Sequence, residues 1–296
     1  MPYNRRSFFR TISASVAAVL PAAAQSGRFR KQLGAQLYTV RDILPHKADV
    51  TLKRIEDIGY SELEANRADL AMLAPICRRY GLKIPSSHLE TGLLTGKREE
   101  WKLPTGLTWE KAVDEAKSYG VEYVVIPYVQ PDERGSLDDW RGFCDNLNHA
   151  GEIARKAEAP LCYHNHAFEF QGEPGKRRID IFLELTDPQL VSMEADVFWL
   201  GAAGLDPADF IARHAARIRL LHLKDKAKGM PLLFDETKAK PSDFKEVGNG
   251  SLDFPAILRA AEKADVAHYY VEQDHTPADP VDSLRVSYQH LRALEV

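Results

Sequence analysis

From residue 33 onward, short apolar runs alternate with amphipathic stretches, and the alternation completes eight rounds. A short apolar run bounded by turn residues reads as a strand, and apolar residues three and four apart read as one face of a helix. The runs fall at 33–38, 61–64, 82–88, 121–127, 160–165, 191–197, 218–223 and 268–273. Helical spacing covers 52–59, 70–80, 109–118, 138–157, 179–185, 207–216, 254–263 and 281–294, with Asp206 as an N-cap of the sixth. Strands alternating with helices imply a parallel sheet. Eight such units within residues 26–296 match the count of a closed (β/α)8 barrel. An open doubly wound sheet is the runner-up, and it would be expected to carry a glycine fingerprint after its first strand. The segment 224–251 has Gly and Pro but no periodicity, so it reads as a long loop. No low-complexity linker divides residues 26–296, which are expected to form a single domain.

A barrel of this kind builds its active face from the C-terminal ends of its strands. Polar residues should therefore come late in each run, and they do. The fifth run ends Tyr163-His164-Asn165-His166, the sixth Met193-Glu194-Ala195-Asp196, the seventh Leu221-His222-Leu223-Lys224-Asp225 and the eighth Val271-Glu272-Gln273-Asp274. Side chains alternate faces along a strand. His164 thus shares a face with His166, Glu194 with Asp196, and His222 with Lys224. One imidazole or carboxylate from each of four neighbouring strands would converge over the barrel mouth. A set of mixed imidazoles and carboxylates suits Mn2+, Fe2+, Co2+ or Zn2+ better than calcium. A buried carboxylate also needs a partner, and one cation satisfies several at once. The expected metal ligands are His164, Asp196, His222 and Glu272, with Glu194 behind them. His166, Lys224, Glu64 and His88 are candidates for substrate contact, and Tyr38 and Trp199 sit beside the mouth, where an aromatic face could stack on a ligand. His46, His149, His214, His268 and His290 lie in helices or away from strand ends and read as structural.

The first 25 residues do not belong to this pattern. Arg5-Arg6 precede Phe8-Phe9, a modest apolar run reaches Leu20, and small residues follow to Ala24. That is the layout of a twin-arginine export signal, cleaved after Ala24, and it points to a periplasmic or secreted protein. The apolar run is too short to span a bilayer, so no stable membrane insertion is expected. Export in the folded state fits a protein loaded with metal in the cytoplasm. Cys77, Cys144 and Cys162 are odd in number and outside any CxxC pair, so they read as small buried hydrophobes. The formal net charge is −4 and no basic stripe is visible after residue 31, so no nucleic-acid partner is expected. Oligomeric state is left open, a homo-oligomer included.

The segments LGAQLYTVRD (33–42), YHNHAFEF (163–170), EADVFW (194–199), HLKD (222–225), VGNGSLDF (247–254) and VEQD (271–274) together resemble the xylose isomerase-like TIM barrel superfamily. The resemblance is greatest to its sugar phosphate isomerase/epimerase and inosose dehydratase-like branch. It implies one divalent metal held by a Glu of strand five, an Asp of strand six, a His of strand seven and a Glu of strand eight. The last three fall on Asp196, His222 and Glu272. The first falls on His164, a departure from the pattern. In the ketose 3-epimerases of this superfamily two metal-bound glutamates exchange a proton with opposite faces of one carbon, and here Glu272 alone remains of that pair. The implied activity is isomerisation or epimerisation of a keto-sugar through an enediolate, with Glu272 moving the proton and His166 or Lys224 replacing the missing base. Loss of a β-substituent from the same enediolate would make a dehydratase or lyase. Two other classes compete. A zinc endonuclease on this barrel would need a multi-metal cluster and a basic face, and a non-catalytic sugar binder would have no use for a carboxylate base.

Overall fold

The computed structural model describes residues 28–296, so the expected export signal lies outside the described residues. Eight parallel strands close into a barrel: β1 Leu33–Gln36, β2 Glu62–Asn66, β3 Lys83–His88, β4 Tyr123–Ile126, β5 Leu161–His164, β6 Val191–Asp196, β7 Ile218–Leu223 and β8 His268–Val271. The ring closes where β1 pairs with β8, Leu33 opposite Tyr269 and Ala35 opposite Val271. Eight main helices follow the strands: Leu44–Ile58, Leu70–Tyr80, Trp109–Ser118, Leu137–Lys156, Arg178–Leu185, Pro207–Arg213, Phe254–Lys263 and Pro280–Ala293. The single (β/α)8 barrel expected from the alternation is the observed fold. Among the described residues no helix is long and apolar enough to cross a membrane. Cys77, Cys144 and Cys162 are free and buried.

Period two sorts each strand into a face toward the helices and a face toward the barrel axis. On β5, Leu161 and Tyr163 join the large outer core, while Cys162 joins Val125, Leu220 and Tyr270 in a small apolar layer of their own. That layer plugs the barrel. Tyr270 fills its middle, and a Cβ on Gly34 would lie 2.6 Å from the Tyr270 ring, so only glycine lets β1 pass. Near the N-terminal ends of the strands His268 is tied to Glu62 at 2.7 Å. Toward the C-terminal ends the interior positions turn polar, which sets the functional site above the apolar plug.

Three expectations on element limits are corrected. The run at 61–64 is too short: β2 extends to Asn66 because Ala65 and Asn66 pair with Ser87 and His88 of β3. Leu37 and Tyr38 leave the first strand in a tight turn, Leu37–Val40, in which the Gln36 side chain accepts from the Tyr38 amide. The sixth helix stops at Arg213 rather than 216, although Asp206 caps it as expected, accepting from Ala208 N at 2.8 Å. The aperiodic segment also has structure. Asp225–Lys226 and Phe244–Lys245 pair in an antiparallel ladder, and the chain between them folds into a strap.

Candidate metal centre and active site

The strap is fixed by one carboxylate. Asp225 accepts hydrogen bonds from the backbone of Gly248 at 3.0 Å, Gly250 at 2.9 Å, Ser251 at 3.0 Å and Leu252 at 3.1 Å. A Cβ on Gly250 would lie 2.3 Å from Asp225 Oδ1, which explains glycine at that point. Held this way, the strap brings Glu236, Thr237, Ala239 and Phe244 to the barrel mouth, where they wall a cavity of about 580 Å³. Glu236 is locked to Arg134 and to the Tyr128 hydroxyl from the loop after β4, and Arg134 lies flat on Phe168, 3.6 Å from the ring centre.

At the inner end of the cavity the strand ends meet as the alternation requires. Asp196 caps the short helix Val197–Ala202, Oδ1 accepting from Phe198 N at 2.8 Å and Trp199 N at 3.1 Å. This turns Oδ2 inward, 3.6 Å from His164 Nε2 and 4.0 Å from His222 Nδ1. Glu272 Oε2 lies 2.7 Å from His222 Nδ1. Four donor atoms thus form a cup, and those of His164, Asp196 and His222 lie within 4.8 Å of one another. The donor types fit a divalent cation of the borderline kind, two imidazole nitrogens and two carboxylate oxygens, with Glu272 held on His222 at a hydrogen-bond distance of 2.7 Å.

Charge makes the same point. Asp196, Glu272, Glu64 and Glu194 are all buried, and Asp274 joins them at the rim. Lys224 answers three of these, its Nζ 3.0 Å from Asp196 Oδ2, 2.7 Å from Glu272 Oε2 and 3.0 Å from Asp274 Oδ1. The Asp196 contact lacks the alignment of a hydrogen bond, and Oδ2 otherwise has no partner. Burial raises the Asp196 carboxyl to about 6 against the pull of Lys224. For Glu272 burial acts in the same direction, but Lys224 and His222 outweigh it and hold the group ionised. Below the cup, Glu64 and Glu194 face the far nitrogens of the rings. Burial would raise Glu64, yet His88 and His222 pull it far below the carboxylate range.

The structure gathers most of the expected residues and corrects two roles. His164, Asp196, His222 and Glu272 converge. His88, His166, Trp199, Tyr38, Lys224 and Glu272 line the cavity. Glu64, expected among the substrate contacts, does not; it is fully buried beneath, on His222 and His88. Lys224 does line it but cannot be a spare base. Burial alone would lower its ammonium, but Asp196, Asp274 and Glu272 hold it charged. His166 is the opposite case. Burial first, then Lys224, pushes it well below the usual histidine range, so it is neutral and able to accept a hydrogen bond. Its Nδ1 has no partner, and its ring sits 5.3 Å from Trp199 and 4.8 Å from Tyr128. Sequence reasoning passed over Asp274, His275, Tyr128, Phe244 and Glu236, which also line the cavity, and gave Asp225 no role. A carboxylate directly after HLK and a GNGS turn some 20 residues on were the available signals for the strap.

The xylose isomerase-like TIM barrel model matches residues 52–294. The chain belongs to that family. An inosose dehydratase of Geobacillus kaustophilus is 24% identical over 294 residues, covering 88% of this chain and 93% of that protein. Other inosose dehydratases align over only about half of their own length. Among solved structures, a sugar phosphate isomerase/epimerase from Parabacteroides distasonis superposes with a TM-score of 0.71 at 25% identity, covering 94% of this chain and 98% of that one. The IOLI protein with a bound zinc atom shares the fold, with a TM-score of 0.66 at 16% identity over 88% of this chain and 96% of that one. With such relatives, the xylose isomerase-like chain described here is an enzyme.

Proposed function

We propose that the protein is a divalent-metal-dependent isomerase or epimerase of an unphosphorylated keto-sugar. One observation carries the reading: donor atoms of His164, Asp196 and His222 lie within 4.8 Å of one another, with Glu272 on His222, at the inner end of a sugar-sized cavity lined by His164 and Glu272. The metal is one of Mn2+, Zn2+, Co2+ or Fe2+. When bound, such an ion supplies Lewis-acid polarisation of the substrate carbonyl. The chain's residues do the rest. Glu272, kept ionised beside the cup, takes the proton from the carbon next to the carbonyl and leaves an enediolate. His166, neutral and with Nδ1 unsatisfied, serves the other side of the cavity as a second base. The Lys224 ammonium offers positive charge where oxyanion character develops. Trp199, Phe244 and Tyr128 bound the cavity with ring faces suited to sugar C–H groups. Among the described residues lining the cavity the non-histidine cations are Arg41 and Lys224. Lys224 is committed to carboxylates, and Arg41 is stacked 4.0 Å over Tyr38 and bonded to the Asp274 carbonyl. That lining suits a neutral sugar better than a sugar phosphate.

The test is incubation of Mn2+-loaded protein in D2O with a panel of keto-sugars, keto-inositols and keto-glycosides. Deuterium should enter beside the carbonyl, and its absence across the panel would refute proton abstraction. A dehydratase or lyase is the second reading, favoured by the likeness to an inosose dehydratase over most of the chain and by an imidazole, His164, in place of the strand-five carboxylate. Product analysis separates them, since elimination yields an unsaturated ketone and water or an alcohol. We also propose twin-arginine export of the chain. Replacing Arg5 and Arg6 by Lys should keep a fused reporter in the cytoplasm, and unchanged export would refute that address.

A further inference from the structure

Two carboxylates below the cup take no part in the chemistry proposed above. Glu64 and Glu194 are both fully buried, and neither lines the cavity. A charge held that far from water needs a purpose or a partner. Their partners are the two imidazoles of the cup, reached from behind. His222 Nε2 lies 2.6 Å from Glu64 Oε2 and 3.2 Å from Glu194 Oε2. His164 Nδ1 lies 3.0 Å from the same Glu194 Oε2. The register explains the reach, because His164 and Glu194 sit side by side on β5 and β6. His88 braces the pair, its Nε2 2.9 Å from Glu64 and 3.4 Å from Glu194.

The two rings are turned in opposite senses. His164 shows Nε2 to Asp196 Oδ2, whereas His222 shows Nδ1 to the same oxygen and to Glu272. A ring nitrogen can give a lone pair to a cation only while the proton sits on the other nitrogen. A carboxylate behind each ring is the group that keeps it there, as acidic partners do for metal-bound histidines in general.

We propose that Glu194 and Glu64 are positioning residues that set the opposed tautomers of the two imidazole ligands, Glu194 fixing His164 as an Nε2 donor and Glu64 fixing His222 as an Nδ1 donor. Glu194 Oε2 accepts from His164 Nδ1 and lies 3.2 Å from His222 Nε2, whose hydrogen bond goes to Glu64 Oε2. Loss of either carboxylate therefore disturbs one donor of the pair. The inference rests on the metal-dependent reading above.

The test is calorimetric titration of chelator-stripped protein with Mn2+, for the wild type, Glu194→Gln and Glu64→Gln, with circular dichroism to confirm the fold. A carboxamide keeps the shape but no longer demands a ring N–H. Mn2+ affinity should fall roughly 10–100-fold in Glu194→Gln and in Glu64→Gln, at one ion per wild-type chain. Nitrogen NMR of histidine-labelled, Zn2+-loaded wild type reads the tautomers directly and does not depend on any variant folding. It should show His164 protonated on Nδ1 and His222 on Nε2. Equal affinity in all three proteins, or both ligand rings protonated on the same nitrogen, overturns the proposal while the metal-dependent function stands. Two ions per chain would make Glu64 and Glu194 ligands and overturn it as well. A wild type that binds no divalent ion removes the function and this inference together.

Discussion

A single carboxylate shows how local geometry becomes chemistry. Asp196 gives one oxygen to the amides of Phe198 and Trp199 as a helix cap, so its other oxygen is committed to the cup before any ligand arrives. His222 is the centre of that cup, with Glu272 on one nitrogen and Glu64 on the other. His222→Ala should release the metal and abolish turnover. The barrel should stay folded, a point that circular dichroism and metal analysis check together. Glu272→Gln should stop deuterium uptake beside the carbonyl even where the variant still takes up some metal. A different residue governs pH dependence. Burial raises Glu169 from 4.5 to about 7, despite hydrogen bonds from the Tyr163 hydroxyl and the His166 amide. Between these values the folded protein binds the proton and the unfolded chain does not, so stability falls as pH rises through that window, by about 3 kcal/mol in all. Glu169→Gln should narrow the gap in melting temperature between pH 5 and pH 8.

Elements show why some of the site was legible and some was not. The helices Trp109–Ser118 and Phe254–Lys263 and the strand Ile218–Leu223 lie where the residue pattern puts them, because each has one clear apolar face. β2 was harder to see because its barrel-facing residues, Glu62, Glu64 and Asn66, are the polar ones. The apolar residues Leu63 and Ala65 pack outward, so the alternation is present but inverted. The cluster at the ends of β5 to β8 was readable since a closed barrel converts strand order into adjacency. The role of Glu64 was not, because it depends on β2 facing β7 across the barrel interior. The strap was opaque for a related reason: Asp225 finds its four amides only after the chain returns at Gly248. Asp225→Ala should strip those part-buried amides of their carboxylate, cost about 1–3 kcal/mol, and raise KM by loosening Phe244 and Glu236. A thermal melt and a KM measurement check both halves.

At the scale of the whole molecule, the barrel is a stack of layers with separate tasks. A hydrogen-bonded pair, Glu62 with His268, closes the bottom, and Tyr270, Leu220, Val125 and Cys162 form an apolar plug. Above them a polar tier carries more carboxylates than cations, and the cavity opens above that. On the proposed reading a divalent ion would serve stability as much as chemistry, since it would bind the folded chain and has no preformed site in the unfolded one. Stripping with a chelator should therefore lower the melting temperature. Saturation with Mn2+ at 100 times its Kd should restore about 2.7 kcal/mol. The central claim is that four side chains far apart in sequence share one cation. Anomalous diffraction from a Mn2+-loaded crystal tests it most directly. The account predicts one peak roughly 2.0–2.3 Å from His164 Nε2, Asp196 Oδ2, His222 Nδ1 and Glu272 Oε2; a cup still filled by the Lys224 ammonium, with no peak among those atoms, would contradict it.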